Sequence, residues 1–135
     1  MEPDVVDFPI QNVGFCYLLV SQQDVTVTYV GECVNLRRRF CEHNCGRGAQ
    51  SAFRPYMLFA FVVGFPGDGH GTENEMSRRF FERQWHGRIG IGNARLHVSE
   101  VLNAGLQLVE EWNLENSFQL TVVQCCRVRQ INRSE

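Results

Sequence analysis

Two short apolar runs, Phe15–Val20 and Val25–Val30, parted by the polar Ser21-Gln22-Gln23-Asp24, constrain this chain more than any other feature. Both runs are rich in β-branched and aromatic residues, and the polar stretch between them suits the turn of a β-hairpin. Gly31 ends the second run and is expected to turn the chain. A helix should follow, because Asn35 is a good N-cap, Leu36 and Phe40 lie one turn apart, and Gly46 stands where a glycine stops a helix. The expected unit is hairpin, turn, helix. Tyr17 and Tyr29 fall on its adjacent strands, where a suitable register lets them share one face.

Beyond this unit, Gly46–Pro55 reads as a loop. Tyr56–Phe65 is a nearly continuous apolar run, as expected of a central strand covered on both faces. Thr72 with Glu75 three residues on reads as a capping box. The helix it opens should carry Met76, Phe80, Phe81 and Trp85 towards the core, with Glu82 just outside that apolar arc. Gly87–Asn93 contains three glycines and should end it. Val98, Val101, Leu102, Gly105, Leu108, Val109 and Trp112 then repeat at helical spacing, with Ser99 as a candidate cap. Phe118–Cys126 reads as a last strand. The fold class expected is α/β (α+β): a small mixed or antiparallel sheet of three or four strands flanked by three helices. Residues 1–135 should form one domain with its core in 13–112, residues 1–12 an extended leader packed at an edge, and 127–135 a polar tail.

A length of 135 residues with 44% hydrophobic content supports one core. No apolar run approaches the roughly 18 residues of a membrane span, so the chain is expected to be soluble and intracellular, and nuclear if eukaryotic. The six cysteines are unevenly spaced, which favours reduced thiols over a disulfide scaffold. A net charge of −2 argues against a strongly basic nucleic-acid-binding protein. Its distribution says more. All 13 basic residues are arginine, with five between Arg37 and Arg54 and four between Arg78 and Arg88. Guanidinium forks suit bidentate phosphate contacts, so a local basic surface of weak intrinsic DNA affinity is expected.

The order Phe15-Cys16-Tyr17, Tyr29-Val30-Gly31, Asn35-Leu36-Arg37-Arg38-Arg39 and His43, followed by Phe80-Phe81-Glu82-Arg83-Gln84-Trp85, resembles the GIY-YIG nuclease family. In that family an arginine lies eight residues after the glycine of the second motif, a histidine or tyrosine follows one turn later, and a glutamate stands on a later helix. Arg39, His43 and Glu82 occupy those places. His43-Asn44, Gly48-Ala49, Arg54-Pro55 and Val63-Gly64-Phe65 are similar to the eukaryotic branch that cuts DNA flaps and junctions. The resemblance covers about Val13 to His86.

What the resemblance implies is an endonuclease dependent on Mg²⁺ or Mn²⁺, leaving 5′-phosphate and 3′-hydroxyl ends. Tyr17, Tyr29, Arg39, His43 and Glu82 would be its catalytic residues. Glu82 would hold the metal, Tyr17 would orient or deprotonate the attacking water, Arg39 would hold the scissile phosphate, and His43 would assist positioning or proton transfer. Arg37, Arg38, Arg47, Arg54 and Asn93 would contact the substrate. The partner is DNA, with an additional DNA-binding domain, a partner subunit or a parent protein supplying affinity, and no membrane. Repair, recombination and mobile-element roles all fit.

Two departures stand out. Phe15 replaces the usual glycine of the first motif, with Gly14 displaced by one, and Glu32 follows Gly31, where a second carboxylate would either repel phosphate or join the metal site. Cys33, Cys41, Cys45 and His43 invite a zinc reading. On a helix, however, His43 points about 160° away from Cys41 and Cys45, which disfavours zinc. Two alternatives stay open: a catalytically weak nucleic-acid-binding module that retains the fold, and a zinc-stabilised interaction domain.

Overall fold

The strand Phe15–Ser21 (β2) is buried at all seven positions. Only a strand paired on both sides and covered on both faces achieves that. In the computed structural model, which describes residues 2–3, 13–46, 50–90 and 95–127, β2 lies between Thr28–Cys33 (β3) and Tyr56–Val63 (β4). Thr121–Gln124 (β5) extends the sheet beyond β4, giving four antiparallel strands in the order β3-β2-β4-β5. A separate two-stranded pair joins Glu2–Pro3 (β1) to Cys126–Arg127 (β6). The helices are α1 (Leu36–Cys45), α2 (Thr72–Ile89) and α3 (Val98–Glu115), with a 3-10 turn at Ser51–Phe53.

Alternation along β2 builds two cores. Phe15, Tyr17 and Leu19 cluster with Leu36 of α1 and with Phe61. Cys16, Leu18 and Val20 cluster with Phe81 and Trp85 of α2 and with Val101 and Trp112 of α3. The β2–β4 register slips between Leu18, opposite Ala60, and Leu19, opposite Leu58. Phe59 is the extra residue, a bulge that switches which face β4 presents.

Helix starts follow local chemistry, though not always where the sequence suggested. The Asn35 side chain accepts from Arg38 N at 3.0 Å, and the Gly46 N–H donates to Glu42 O, so both expected ends of α1 are present. Thr72 is not a cap. Gly71 is the N-cap of α2, without a side-chain bond, and Thr72 is the first helical residue. The capping box belongs instead to α3. There His97 Nδ1 accepts from Ser99 N and the His97 N–H donates to Glu100, so His97 rather than Ser99 is the cap.

Other expectations are corrected by packing. Gly31 does not turn the chain: it lies inside β3 opposite Tyr17, and the turn comes only after Cys33. Met76 and Phe80 do not face the core. The buried stripe of α2 is Asn74, Arg78, Phe81 and Trp85, and at 100° per residue Met76 and Phe80 lie about 160° from Arg78, so both are exposed. Gly87 is helical, and α2 ends at Gly90 in the left-handed conformation. The last strand is also shorter than expected. Thr121–Gln124 pairs with β4, the ladder breaks at Cys125, whose N–H donates to Phe59 O, and Cys126 then pairs with Pro3.

Trp85 joins α2 to α3. Its Nε1–H donates to Val101 O at 3.0 Å and its ring lies on Gly105, where an added Cβ would stand 2.6 Å from Cζ2. Gly105→Ala should therefore lower stability by about 1–3 kcal/mol through overpacking. That outweighs the helix-propensity gain of at most about 1 kcal/mol. Urea unfolding followed by tryptophan fluorescence measures the difference, and a variant more stable than the parent would refute the close contact.

Candidate active site

A bare glycine backbone opens the site. Tyr17 and Gly31 are cross-strand partners, and Leu19 pairs with Tyr29, so both tyrosines stand on the α1 face of the hairpin. A Cβ on Gly31 would lie 2.5 Å from the Tyr17 hydroxyl and 2.9 Å from a ring carbon of Tyr29. Without one, the two rings stack 6.2 Å apart across β3.

Helix α1 brings its own pair to these rings. Arg39 and His43 are one turn apart. Tyr17 Oη and His43 Nε2 share a hydrogen bond of 2.9 Å, and the His43 ring packs 4.4 Å from that of Tyr29. Arg39 donates to Glu42 at 2.9 Å and lies near enough to the Tyr17 hydroxyl for its charge to act on it. The far end of α1 is clamped. Asn44 exchanges two bonds with the backbone of Tyr56, while Arg54 donates to His43 O at 2.7 Å and Gly46 O at 2.5 Å.

Burial sets the protonation states. His43 is wholly buried, and desolvation, aided by the charge of Arg39, lowers it from the ordinary 6.5 to about 4. It is neutral at physiological pH. Burial raises Tyr17 well above the usual phenol value, partly opposed by the nearby Arg39. The bond to Glu42 holds Arg39 more firmly protonated.

Glu82 comes from the other side of the sheet. It is half-buried on α2 and makes no hydrogen bond or ion pair to another described residue. Desolvation raises its proton affinity first and the charge of Glu32 adds to it, while His86, Arg79 and Arg39 act against both. Glu82 thus shares a field with Arg39, and the candidate site straddles the outer edge of β3.

The family model for the GIY-YIG catalytic domain matches residues 13–86, more than half of the chain. This chain belongs to the GIY-YIG nuclease family. No curated protein matches it. The matched span runs from just before β2 to His86 on α2, and includes Tyr17, Tyr29, Arg39, His43 and Glu82.

The GIY-YIG frame also holds residues that motif spacing did not single out. His86, one turn after Glu82, donates from Nε2 to Val30 O at 2.7 Å and fastens α2 to the edge of β3. Arg78 is almost fully buried and pairs with Glu32. The i, i+4 spacing of Glu82 and His86 was a visible signal; the pairing of Arg78 with Glu32, 46 residues apart, was not.

The remaining candidates divide. Arg37 and Arg38 are exposed, the latter 3.6 Å from Glu42, and Arg54 spends its guanidinium on the backbone carbonyls of α1. Arg47 and Asn93 lie outside the described residues. His43 points inward whereas Cys41 and Cys45 are exposed. Burial pushes the Cys33 thiol up to about 12, with Glu32 adding to the effect. Among the described residues no three His, Cys, Asp or Glu side chains group as metal ligands.

The neutrality of His43 has a measurable consequence. Between pH 6.5 and about 4 an unfolded chain binds a proton at this histidine and the folded chain does not, so stability should fall as pH drops through that window. In NMR the His43 ring should titrate near 4, and His43→Gln should remove its share of the acid destabilisation. A His43 midpoint at or above 6.5 would contradict the buried, uncharged ring.

Proposed function

We propose that this protein is a divalent-metal-dependent DNA endonuclease, hydrolysing phosphodiesters of flap or junction DNA to 5′-phosphate and 3′-hydroxyl ends. The observation that carries the reading is the hydrogen-bonded pair of Tyr17 and His43 at a sheet edge with Arg39 one turn before His43 on α1, and the uncommitted Glu82 carboxylate in the same field. Phosphodiester hydrolysis needs an activated water, neutralisation of the growing phosphate charge and a stabilised leaving alkoxide. The flap or junction substrate is supported by the pattern of residues 43–65, including Arg54-Pro55 and Val63-Gly64-Phe65.

Glu82 fits a hard cation. It is the carboxylate of this group without a cationic partner, whereas Glu32 and Glu42 are both ion-paired. Its raised proton affinity marks a carboxylate that gains from positive charge. An oxygen ligand of this kind suits Mg²⁺ or Mn²⁺, which when bound would offset phosphate charge and stabilise the departing oxygen. Arg39, half-buried beside the Tyr17–His43 pair, grips a non-bridging phosphate oxygen in place of Glu42. The Tyr17 hydroxyl orients the attacking water, and its bond to His43 Nε2 gives the proton a path to a neutral imidazole. Phosphate charge entering beside Arg39 raises the basicity of His43 and so assists that transfer. A net charge of −2, and an Arg54 bound to carbonyls, support a further DNA-binding domain, partner subunit or parent protein as the source of tight binding.

Nicking of supercoiled plasmid and of labelled flap and four-way-junction DNA tests the reading. Cutting is expected in Mg²⁺ or Mn²⁺, none in EDTA and none by Glu82→Gln. Arg39→Ala should slow the reaction by about a hundred- to a thousandfold, the usual effect of one lost transition-state donor. If parent and variants bind DNA alike and none cuts with either metal, the hydrolase reading fails and the domain is a binding scaffold.

A further inference from the structure

Arg78 is a charged residue buried to 3% exposure within the second core, and every nitrogen of its guanidinium is spoken for. Nε donates to Asn74 Oδ1 at 2.7 Å, Nη2 to Gly69 O at 3.1 Å, and Nη1 to Glu32 Oε1 in a short ion pair. Asn74, wholly buried, is itself fixed by donating to Val13 O and Phe65 O at 3.3 and 3.2 Å. The fork cannot swing away to meet a ligand. Its one charged partner, Glu32, directly follows Gly31 and shares a field with Glu82. The other Glu32 oxygen lies 3.8 Å from the largely exposed Arg79.

Two carboxylates beside one phosphate site act in opposite directions on its two ligands. A second bare carboxylate attracts a divalent cation and repels a phosphodiester. We propose that Arg78 is a positioning residue that neutralises Glu32 and holds it against α2, leaving Glu82 as the single acting carboxylate of the site. The inference rests on the nuclease reading and deepens it, since it assigns the balance between cation and DNA affinity to a buried pair. Arg78 touches neither ligand. It acts through Glu32, so its loss has a signature that loss of structure cannot imitate: cation affinity rises while DNA affinity falls.

The experiment measures both affinities without relying on turnover. Mn²⁺ binding is read by electron paramagnetic resonance of the free ion, and binding of a labelled flap DNA is read by fluorescence anisotropy in EDTA, where nothing is cut. Arg78→Met should bind Mn²⁺ about tenfold more tightly and DNA about tenfold more weakly, the effect of roughly one pKa unit of electrostatic interaction. Arg78→Met combined with Glu32→Met should return both towards the parent values, because removing a buried pair together leaves no stranded charge. Glu32→Gln alone, which keeps a polar partner for Arg78, should weaken Mn²⁺ binding without weakening DNA binding. It carries the test if Arg78→Met does not fold. Both affinities of Arg78→Met falling together, or Glu32→Gln leaving Mn²⁺ binding unchanged, would overturn the proposal while the nuclease reading stands. A parent protein that takes up neither Mn²⁺ nor DNA would remove the nuclease reading and this inference with it.

Discussion

The arrangement of the candidate site depends on a side chain that is missing. Cross-strand partners in an antiparallel sheet stand about 4.5–5.5 Å apart, and the Tyr17 ring lies so close over its partner that a Cβ there would stand 2.5 Å from its hydroxyl. At Gly31 there is none, and Tyr17 fills the space. The ring then reaches across the edge strand instead of standing upright in the core, and its hydroxyl meets His43 on α1. Everything else in the site is placed relative to that contact. The Asn35 cap sets where α1 begins, and Asn44 and Arg54 clamp where it ends, so Arg39 and His43 arrive one turn apart over the two tyrosines.

A single physical cause then tunes the groups so assembled. Burial lowers His43, raises Tyr17 and raises Glu82. In each case it favours the uncharged form. An opposite charge placed beside any of these groups would act against its shift. A cation near Glu82 favours the carboxylate, and a phosphate near His43 favours the imidazolium.

How much of this was legible in the sequence depended on the range of the interaction. Elements fixed by local chemistry were readable: the Asn35 cap, the Gly46 stop, and the apolar runs that became β2 and β4. The face shared by Tyr17 and Tyr29 followed from strand alternation once the hairpin was assumed. Misreadings arose where a residue's neighbours come from far along the chain. Gly31 looked like a turn because glycine usually marks one, and nothing nearby in the sequence said that a tyrosine ring 14 positions earlier would need its space. Met76 and Phe80 looked like core because the stripe that α2 actually buries runs through Asn74 and Arg78, polar residues that hydrophobic periodicity assigns to solvent. The Asn74–Arg78–Glu32 chain, which closes contacts across 46 residues, has no periodic signature at all.

The same residue type plays opposite parts here, and burial decides which. Most of the described arginines already have a carboxylate partner: Arg38 and Arg39 share Glu42, Arg79 takes Glu75, Arg88 takes Glu111, and Arg95 takes Asp24. Arginine count therefore overstates the basic surface, in keeping with the net charge of −2. These pairs are solvent-exposed in whole or part and hold their partners weakly, so a phosphate, a better bidentate acceptor carried on a dense line of charge, displaces the carboxylate at little cost. Arg78 and Glu32 cannot make that exchange, because separating a buried pair strands both charges away from water. The exposed pairs are exchangeable. The buried pair is not.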